Sequence, residues 1–405
     1  MGKYYNKVSE FAKFGPRIAG SKSESLFLEY FKQEIENFSP QVDVESFKTN
    51  GQALQNLIRF IVIGYFIALL MYLFIPLISF FISVIIVLTY FFAIYKGKNL
   101  TNLFVKQKTS RNLIAKFPAT KKPLGTLILT GHYDSAYHMP ILHKNSFFAR
   151  YAMIGIILGL LFMIITSIWR TLTLWNTAMG FIQIFKFHFL FSSLVKIYLF
   201  PDIIYFLLVF DLFLFIYFLR NFVTKTPVLG ANDNLSAIVM LYYLAEYLNT
   251  NPLNNINVKI IAFGAEEPGA YGSKNYLKRH LQELSNIRVI NFDEVGWGNN
   301  IGMLKRENFI NITHDTVFFK KLENLVRQLG YYPNPISTQF GFTDASSFTR
   351  KKIKALTLFT YGNHRGLGHS PEDNIDNINN ETLKLIFELS TKILSESDKN
   401  PKVIF

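Results

Sequence analysis

Between Phe60 and Tyr95 the chain carries no charged residue. As one continuous helix this stretch would run roughly 54 Å, at about 1.5 Å per residue, against a hydrocarbon core of about 30 Å. Pro76 falls near its middle, where a turn between two spans tolerates a residue with no backbone N–H. The pattern predicts a helical hairpin over roughly residues 57–75 and 77–95. A second apolar insert follows at 146–222. In it, Tyr151–Trp169 is uncharged and closed by Arg170, and Ile203–Leu219 is interrupted by Asp211 and closed by Arg220. Met179–Phe200 carries Lys186, His188 and Lys196 and is expected to lie in the interface or to re-enter. A lipid-facing carboxylate is costly, so Asp211 is a functional-site candidate by default, set against the ordinary expectation that it is protonated, snorkels or pairs with a neighbouring helix.

Composition agrees with contact to lipid. Half of the 405 residues are hydrophobic and 41 are Phe. The 42 Lys+Arg against 28 Asp+Glu give a net charge of +14, but the cations flank apolar runs and form no Arg-rich patch. That arrangement suits anionic membrane lipid and argues against nucleic acid. The absence of cysteine excludes disulfides and thiolate metal sites. Richness in Lys, Asn, Ile and Phe points to an AT-rich bacterial genome.

Outside the inserts the chain alternates helix-like and strand-like runs, the signature of an α/β domain. Ser21-Lys22-Ser23-Glu24 reads as a capping box opening a helix to about Phe38. Strands are expected at Leu124–Thr130, Asn257–Phe263, Arg288–Phe292 and Ala355–Thr360, and a helix over Ser236–Leu248. The expected organisation is 1–51, 99–145 and 223–405 as one polar domain, split by a hairpin at 52–98 and an insert at 146–222.

Five polar motifs punctuate that domain: Gly131-His132-Tyr133-Asp134, Gly230-Ala231-Asn232-Asp233-Asn234, Glu266-Glu267, Asn291-Phe292-Asp293 and Gly368-His369-Ser370-Pro371-Glu372-Asp373. Each alone has an ordinary explanation. A His-x-Asp is commonly a structural pair, Glu266-Glu267 a solvated pair, Asp233 a helix cap, Asp293 a turn cap and His369 a loop histidine. Together they offer imidazole and carboxylate, ligands that a borderline-soft divalent cation accepts. All except Asp233 fall at the carboxyl ends of expected strands, where ligand sites of open α/β sheets gather.

Meeting in one site requires the polar segments to share one side of the membrane. Each insert must then cross an even number of times, four spans in total. Lys96, Lys98, Lys106, Lys108, Arg111, Lys144, Arg150 and Lys225 flank the polar side, while the 75–77 turn carries no cation. The positive-inside bias therefore places the polar domain in the cytoplasm of an inner membrane, with Arg170 and Lys186 running against it. Met1–Gly51 shows no secretory signal pattern, which agrees.

With Phe14-Gly15-Pro16-Arg17-Ile18-Ala19-Gly20-Ser21 added, the motifs resemble the zinc aminopeptidases of metallopeptidase family 28, the aminopeptidase Y group. The resemblance implies a three-layer α/β sheet with helices on both faces, of the zinc aminopeptidase (phosphorylase/hydrolase-like) type, interrupted here by two inserted transmembrane hairpins. It implies two zinc ions, one held by His132 and Asp293, the other by Glu267 and His369, with Asp233 bridging. Glu266 would be the general base, and Asp134 would orient His132. The implied activity is hydrolysis of amino-terminal residues from peptides.

Two stretches depart from the family pattern. Asn234-Leu235-Ser236-Ala237 stands where Asn-x-Ser-Gly is common, and Thr343-Asp344-Ala345-Ser346-Ser347-Phe348 replaces a Ser-Asp-His stretch. His138, His143, His314 and His364 have no ligand counterpart. Rival readings are aminoacyl cyclisation of the glutaminyl cyclase kind, a non-catalytic membrane scaffold of the same fold, and a transporter. No internal repeat or pair of broken helices supports the last.

Overall fold

A computed structural model describes residues 2–95, 99–141, 146–183, 207–217, 219–283, 286–339, 341–362 and 368–405. The chain divides into two compact units, one made of 1–52, 105–138 and 225–405, the other of 53–104 and 139–224. Against the expected boundaries, 99–104 and 139–145 group with the apolar unit.

The first unit contains helices α1 (Lys3–Ala12) and α2 (Lys22–Glu36) and strand β1 (Gln41–Thr49). The second unit holds α3 (Ala53–Phe74), α4 (Pro76–Tyr95) and α5 (Ser146–Gln183). Chain order returns to the first unit with β2 (Lys108–Phe117), β3 (Gly125–His132), α6 (Ser236–Thr250), β4 (Ile256–Phe263), α7 (Tyr271–His280) and β5 (Ile287–Phe292). It closes with β6 (Asn300–Glu307), β7 (Ile312–Thr313), α8 (Thr316–Gln328), β8 (Asn334–Thr338), α9 (Asp344–Arg350), β9 (Lys354–Tyr361) and α10 (Asn380–Lys399).

The strands form one mixed sheet in the order β1-β2-β4-β3-β5-β9-β6-β7, with β8 paired to β6. Its centre, β4-β3-β5-β9, is parallel, and these are the strands expected from the sequence. Antiparallel pairs flank it at β1-β2-β4 and at β9-β6-β7. Central parallel strands are covered on both faces and therefore read as near-continuous apolar runs. One face presents Leu127, Leu129, Ile260, Ala262, Ile290, Phe292, Leu356 and Leu358, which pack with Phe11 of α1, Phe31 of α2, Leu244 of α6, Leu322 of α8 and Ile386 of α10. The other presents Ile128, Ile261, Val289 and Ala355, which pack with Tyr276 of α7 and Phe348 of α9. The result is three layers.

Local signals explain the helix starts. Ser21 caps α2, its hydroxyl accepting the Glu24 N–H at 3.0 Å. The Glu24 carboxylate reaches one residue further back than a capping box predicts, accepting the Gly20 N–H at 2.6 Å and the Ser110 hydroxyl at 2.6 Å.

In the second unit, α3 and α4 are separated by Ile75 alone, and Pro76 occupies the first position of α4, where no N–H is needed. Among the described residues, three segments, Ala53–Phe74, Pro76–Ala93 and Ile154–Leu174, are long and apolar enough to cross a membrane. Their arrangement puts Tyr65, Leu69, Tyr72, Leu160, Met163 and Phe215 inside, with Phe66, Phe74, Phe81, Leu88, Ile165, Phe210 and Phe213 exposed. Residues 207–217 are helical. The remainder of the expected span at 203–219, and residues 184–200 of the interfacial segment, lie outside the described residues apart from 219. The Tyr65 hydroxyl lies 3.3 Å from Asp211 Oδ2 and 3.1 Å from the Leu208 carbonyl. Gly159 makes that approach possible: a Cβ there would fall 1.7 Å from Asp211 Oδ2.

Candidate metal centre

Strand β3 ends at His132, β4 leads to Glu266 and Glu267, β5 leads to Asp293, and β9 is followed by the loop carrying His369. Because these strands are parallel neighbours, their carboxyl ends bring the side chains to one edge of the sheet. Asp233 joins them from the turn before α6, where Gly230 has φ +66° and the Asp233–Asn234 peptide is cis.

Asp233 sits in the middle. Its Oδ1 is 3.2 Å from His132 Nε2, and its Oδ2 is 3.4 Å from His369 Nε2. On the first side Asp293 Oδ1 lies 3.7 Å from His132 Nε2, and on the second Glu267 Oε2 lies 3.5 Å from His369 Nε2. Donor atoms of His132, Asp233 and Asp293 all fall within 4.8 Å of one another, as do those of Asp233, Glu267 and His369. A tetrahedral ion with bonds of about 2.0–2.2 Å sets its ligands about 3.3–3.6 Å apart, so both groups fit zinc in chemistry and spacing. Glu267 Oε1 and Glu266 Oε1 are buried with no hydrogen-bond partner among the described residues, which is a further sign that cations complete the site.

Electrostatics point the same way. Burial drives Glu266 and Glu267 well above the ordinary carboxylate range, with Asp344 and Asp293 adding to the rise at Glu266 and Asp233 at Glu267. Burial also raises Asp293. Burial works against Asp233 too, yet contact with His132 and the charge of His369 hold it low. At His132 burial opposes the charge, but contacts with Asp134, Asp233 and Asp293 lift it well above its ordinary value. This is a crowded anionic cluster short of positive charge.

The supporting shell is built from distant segments. The sequence assigned Asp134 to His132, and the structure sets Asp134 against that ring and gives its carboxylate further partners. His132 Nδ1 is 3.1 Å from the main-chain carbonyl of Asp134 and 3.6 Å from its carboxylate. That carboxylate also accepts the backbone N–H groups of Glu266 at 2.9 Å and Glu267 at 3.2 Å. It therefore fixes the turn in which Ala265 adopts φ +53°. Glu294 (φ +50°) and His369 (φ +61°) are likewise in the left-handed region, and such outliers gather where a site over-determines the backbone.

Three carboxylates without a role in the sequence reading lie here. Asp373 accepts the N–H groups of Asn232 at 2.6 Å and Asp233 at 3.1 Å, so it steadies the turn bearing Asp233. Glu294 accepts from the Asn232 amide at 3.4 Å. A Cβ on Gly368 would come within 2.7 Å of Glu294 Oε1 and 3.0 Å of Asp233 Oδ2, which explains the glycine beside His369. Asp344 is fully buried, and neither carboxylate oxygen has a hydrogen-bond partner among the described residues. Asp373 stood in a quoted motif and Asp344 in a noted departure, but neither has a periodic signal that reveals its partner. His314 has its ring held by Glu307 at 3.1 Å and Thr349 at 2.8 Å, and it belongs to neither ligand group around Asp233. His143 and His364 lie outside the described residues.

The chain is similar to known proteins in sequence and in fold. The family model described as Peptidase family M28 matches residues 219–394. Aminopeptidase YwaD of Bacillus subtilis (strain 168) is 30% identical over 190 residues, 43% of this chain and 40% of the relative. The match thus spans less than half the length of that curated relative. Among solved structures, a leucine aminopeptidase precursor from Bacteroides thetaiotaomicron VPI-5482 superposes with a TM-score of 0.53 at 16% identity, covering 96% of this chain and 94% of the other. A glutaminyl cyclase from Bacteroides thetaiotaomicron gives 0.54 at 16% identity, covering 96% and 95%. These structural likenesses establish the fold. Fold and donor set define the class as an α/β protein with a candidate metal centre at the carboxyl ends of its parallel strands. Residues 219–394 are thus similar to peptidase family M28, and part of the chain is similar to an aminopeptidase.

Proposed function

We propose that the chain is a membrane-anchored metallopeptidase that removes amino-terminal residues from peptides with the help of two zinc ions. The observation that carries this reading is Asp233, whose two oxygens face His132 at 3.2 Å and His369 at 3.4 Å, the posture of a bridging ligand. His132 and Asp293 would complete one position, Glu267 and His369 the other.

When bound, the ion pair supplies Lewis-acid polarisation of a carbonyl and makes a nearby water acidic. Glu266 does the proton work. Its Oε1 is buried and has no hydrogen-bond partner among the described residues, which leaves that oxygen free to accept a proton. It takes a proton from the attacking water, whose oxygen bonds to the scissile carbonyl carbon. As the C–N bond breaks, Glu266 returns that proton to the leaving amine. Asp134 holds Glu266 in place through its backbone N–H.

The anchor reading rests on α3, α4 and 154–174. The Lys/Arg bias of the flanks supports a cytoplasmic catalytic unit in a bacterial inner membrane. Purified in detergent, the protein should hydrolyse amino-acid amides and short peptides, lose that activity to a chelator and regain it with zinc. Failure to restore hydrolysis with zinc would reject the reading. The likeness to a glutaminyl cyclase structure keeps one alternative, intramolecular cyclisation of amino-terminal glutamine. Product analysis separates them, since cyclisation of a glutaminyl peptide releases ammonia without shortening the chain.

A further inference from the structure

The side chain of Arg17 is fully buried, yet its guanidinium makes no ion pair at contact distance among the described residues. It donates to three main-chain carbonyls instead. Nε reaches the Tyr133 carbonyl at 2.7 Å, Nη1 that of Gly15 at 2.9 Å and Nη2 that of Gly230 at 3.1 Å. Its backbone N–H also donates to the Ser135 hydroxyl at 2.9 Å. Two of these acceptors matter for the site. Tyr133 lies between His132 and Asp134, and Gly230 opens the turn that presents Asp233. The face of the guanidinium rests on the Phe27 ring at 5.6 Å, and Phe27 stacks on Tyr133 with ring centroids 5.8 Å apart.

Neutral carbonyls do not cancel the positive charge. The carboxylates that act on it through space are those of Asp373, Asp134, Asp233 and Glu267. Asp373 grips the Asp233 turn by its N–H groups while Arg17 grips it by the Gly230 carbonyl, so two buried, oppositely charged side chains brace one turn.

We propose that Arg17 is a positioning residue for the metal centre: it ties the His132 strand end to the Asp233 turn and offsets the repulsion among the carboxylates before any cation arrives. This rests on the metal-centre reading above. A fork with several fixed donors suits the task; an ammonium, a single point charge, can bridge fewer of these carbonyls at once.

The test compares wild type with Arg17→Lys and Arg17→Gln, each purified full-length in detergent and stripped of metal. Zinc affinity is measured by competition with a chromophoric chelator, and thermal unfolding is followed with and without zinc. Removing partners that orient metal ligands typically weakens metal binding about 10–100-fold. Arg17→Gln should fall in that range and Arg17→Lys between it and wild type. The stabilisation that zinc confers should shrink in the same order. A purely structural arginine would lower the unfolding temperature of all forms and leave zinc affinity within about twofold, which overturns the proposal. Failure of both variants to fold even with excess zinc also overturns it, since the residue is then scaffold. Failure of wild type to bind zinc rejects the metal centre itself, a different result.

Discussion

The carboxylate of Asp134 accepts the backbone N–H of Glu266 at 2.9 Å. The same carboxylate takes the N–H of Glu267 at 3.2 Å, so one buried side chain beside His132 sets the turn that presents two further site residues. Asp134→Ala would leave both donors orphaned in a dry site, at a cost of about 1–3 kcal/mol for each. The expected outcome is a lower unfolding temperature together with a drop in kcat. An alanine variant with wild-type stability and turnover would remove Asp134 from this role.

Glu266 is adjacent to Glu267 but is not needed to complete either ligand group around Asp233. Glu266→Gln should therefore keep its metal content, read by elemental analysis, while kcat falls about 100–10,000-fold, the usual range for loss of a general base. Loss of metal along with activity would instead assign Glu266 to metal binding.

Glu24 supplies a pH dependence away from the ligands. Burial, reinforced by the charge of Asp134, pushes its carboxyl up to about 8, against hydrogen bonds from Ser110 and Gly20 and the charge of Arg111 that favour the ionised form. A folded-state value above the ordinary one means the folded protein holds this proton more tightly than the unfolded chain. The stabilisation is fully present below the ordinary carboxylate value and is lost as pH rises from there through about 8. Glu24→Gln should flatten that loss, so the unfolding free energies of variant and wild type, read from denaturant titrations, should diverge by an amount on the order of a few kcal/mol between pH 5 and pH 9. Parallel pH profiles would contradict it.

The chain has no cysteine, which allows single-cysteine topology mapping. Ile75→Cys lies in the turn between α3 and α4, and Lys402→Cys lies at an exposed position beyond α10 in the first unit. A cytoplasmic catalytic unit predicts that a membrane-impermeant maleimide labels the first in intact cells and the second only after lysis. The reverse pattern would invert the orientation.

Much of this was legible along the chain because it is encoded locally. An uncharged run broken by Pro76 specifies a hairpin within its own residues. The strands ending near His132, Glu266 and Asp293 show as apolar runs because both of their faces are covered. His132, Asp233, Glu267, Asp293 and His369 could be picked out because imidazoles and carboxylates in short motifs stand out from apolar neighbours.

Other features depended on contacts between residues more than a hundred positions apart, which leave no periodic trace. The sequence placed Asp134 against the His132 ring, its nearest chemical partner along the chain, and folding added Glu266 and Glu267 across 132 and 133 positions. Asp373 and Arg17 meet the Asp233 turn in the same way, at separations of 140 positions or more. The amino-acid sequence by itself determined which segments are apolar enough for lipid and which side chains can hold a cation. Only the tertiary structure decided how those side chains are aimed, because orientation comes from hydrogen bonds whose partners become neighbours only once the parallel strands pair.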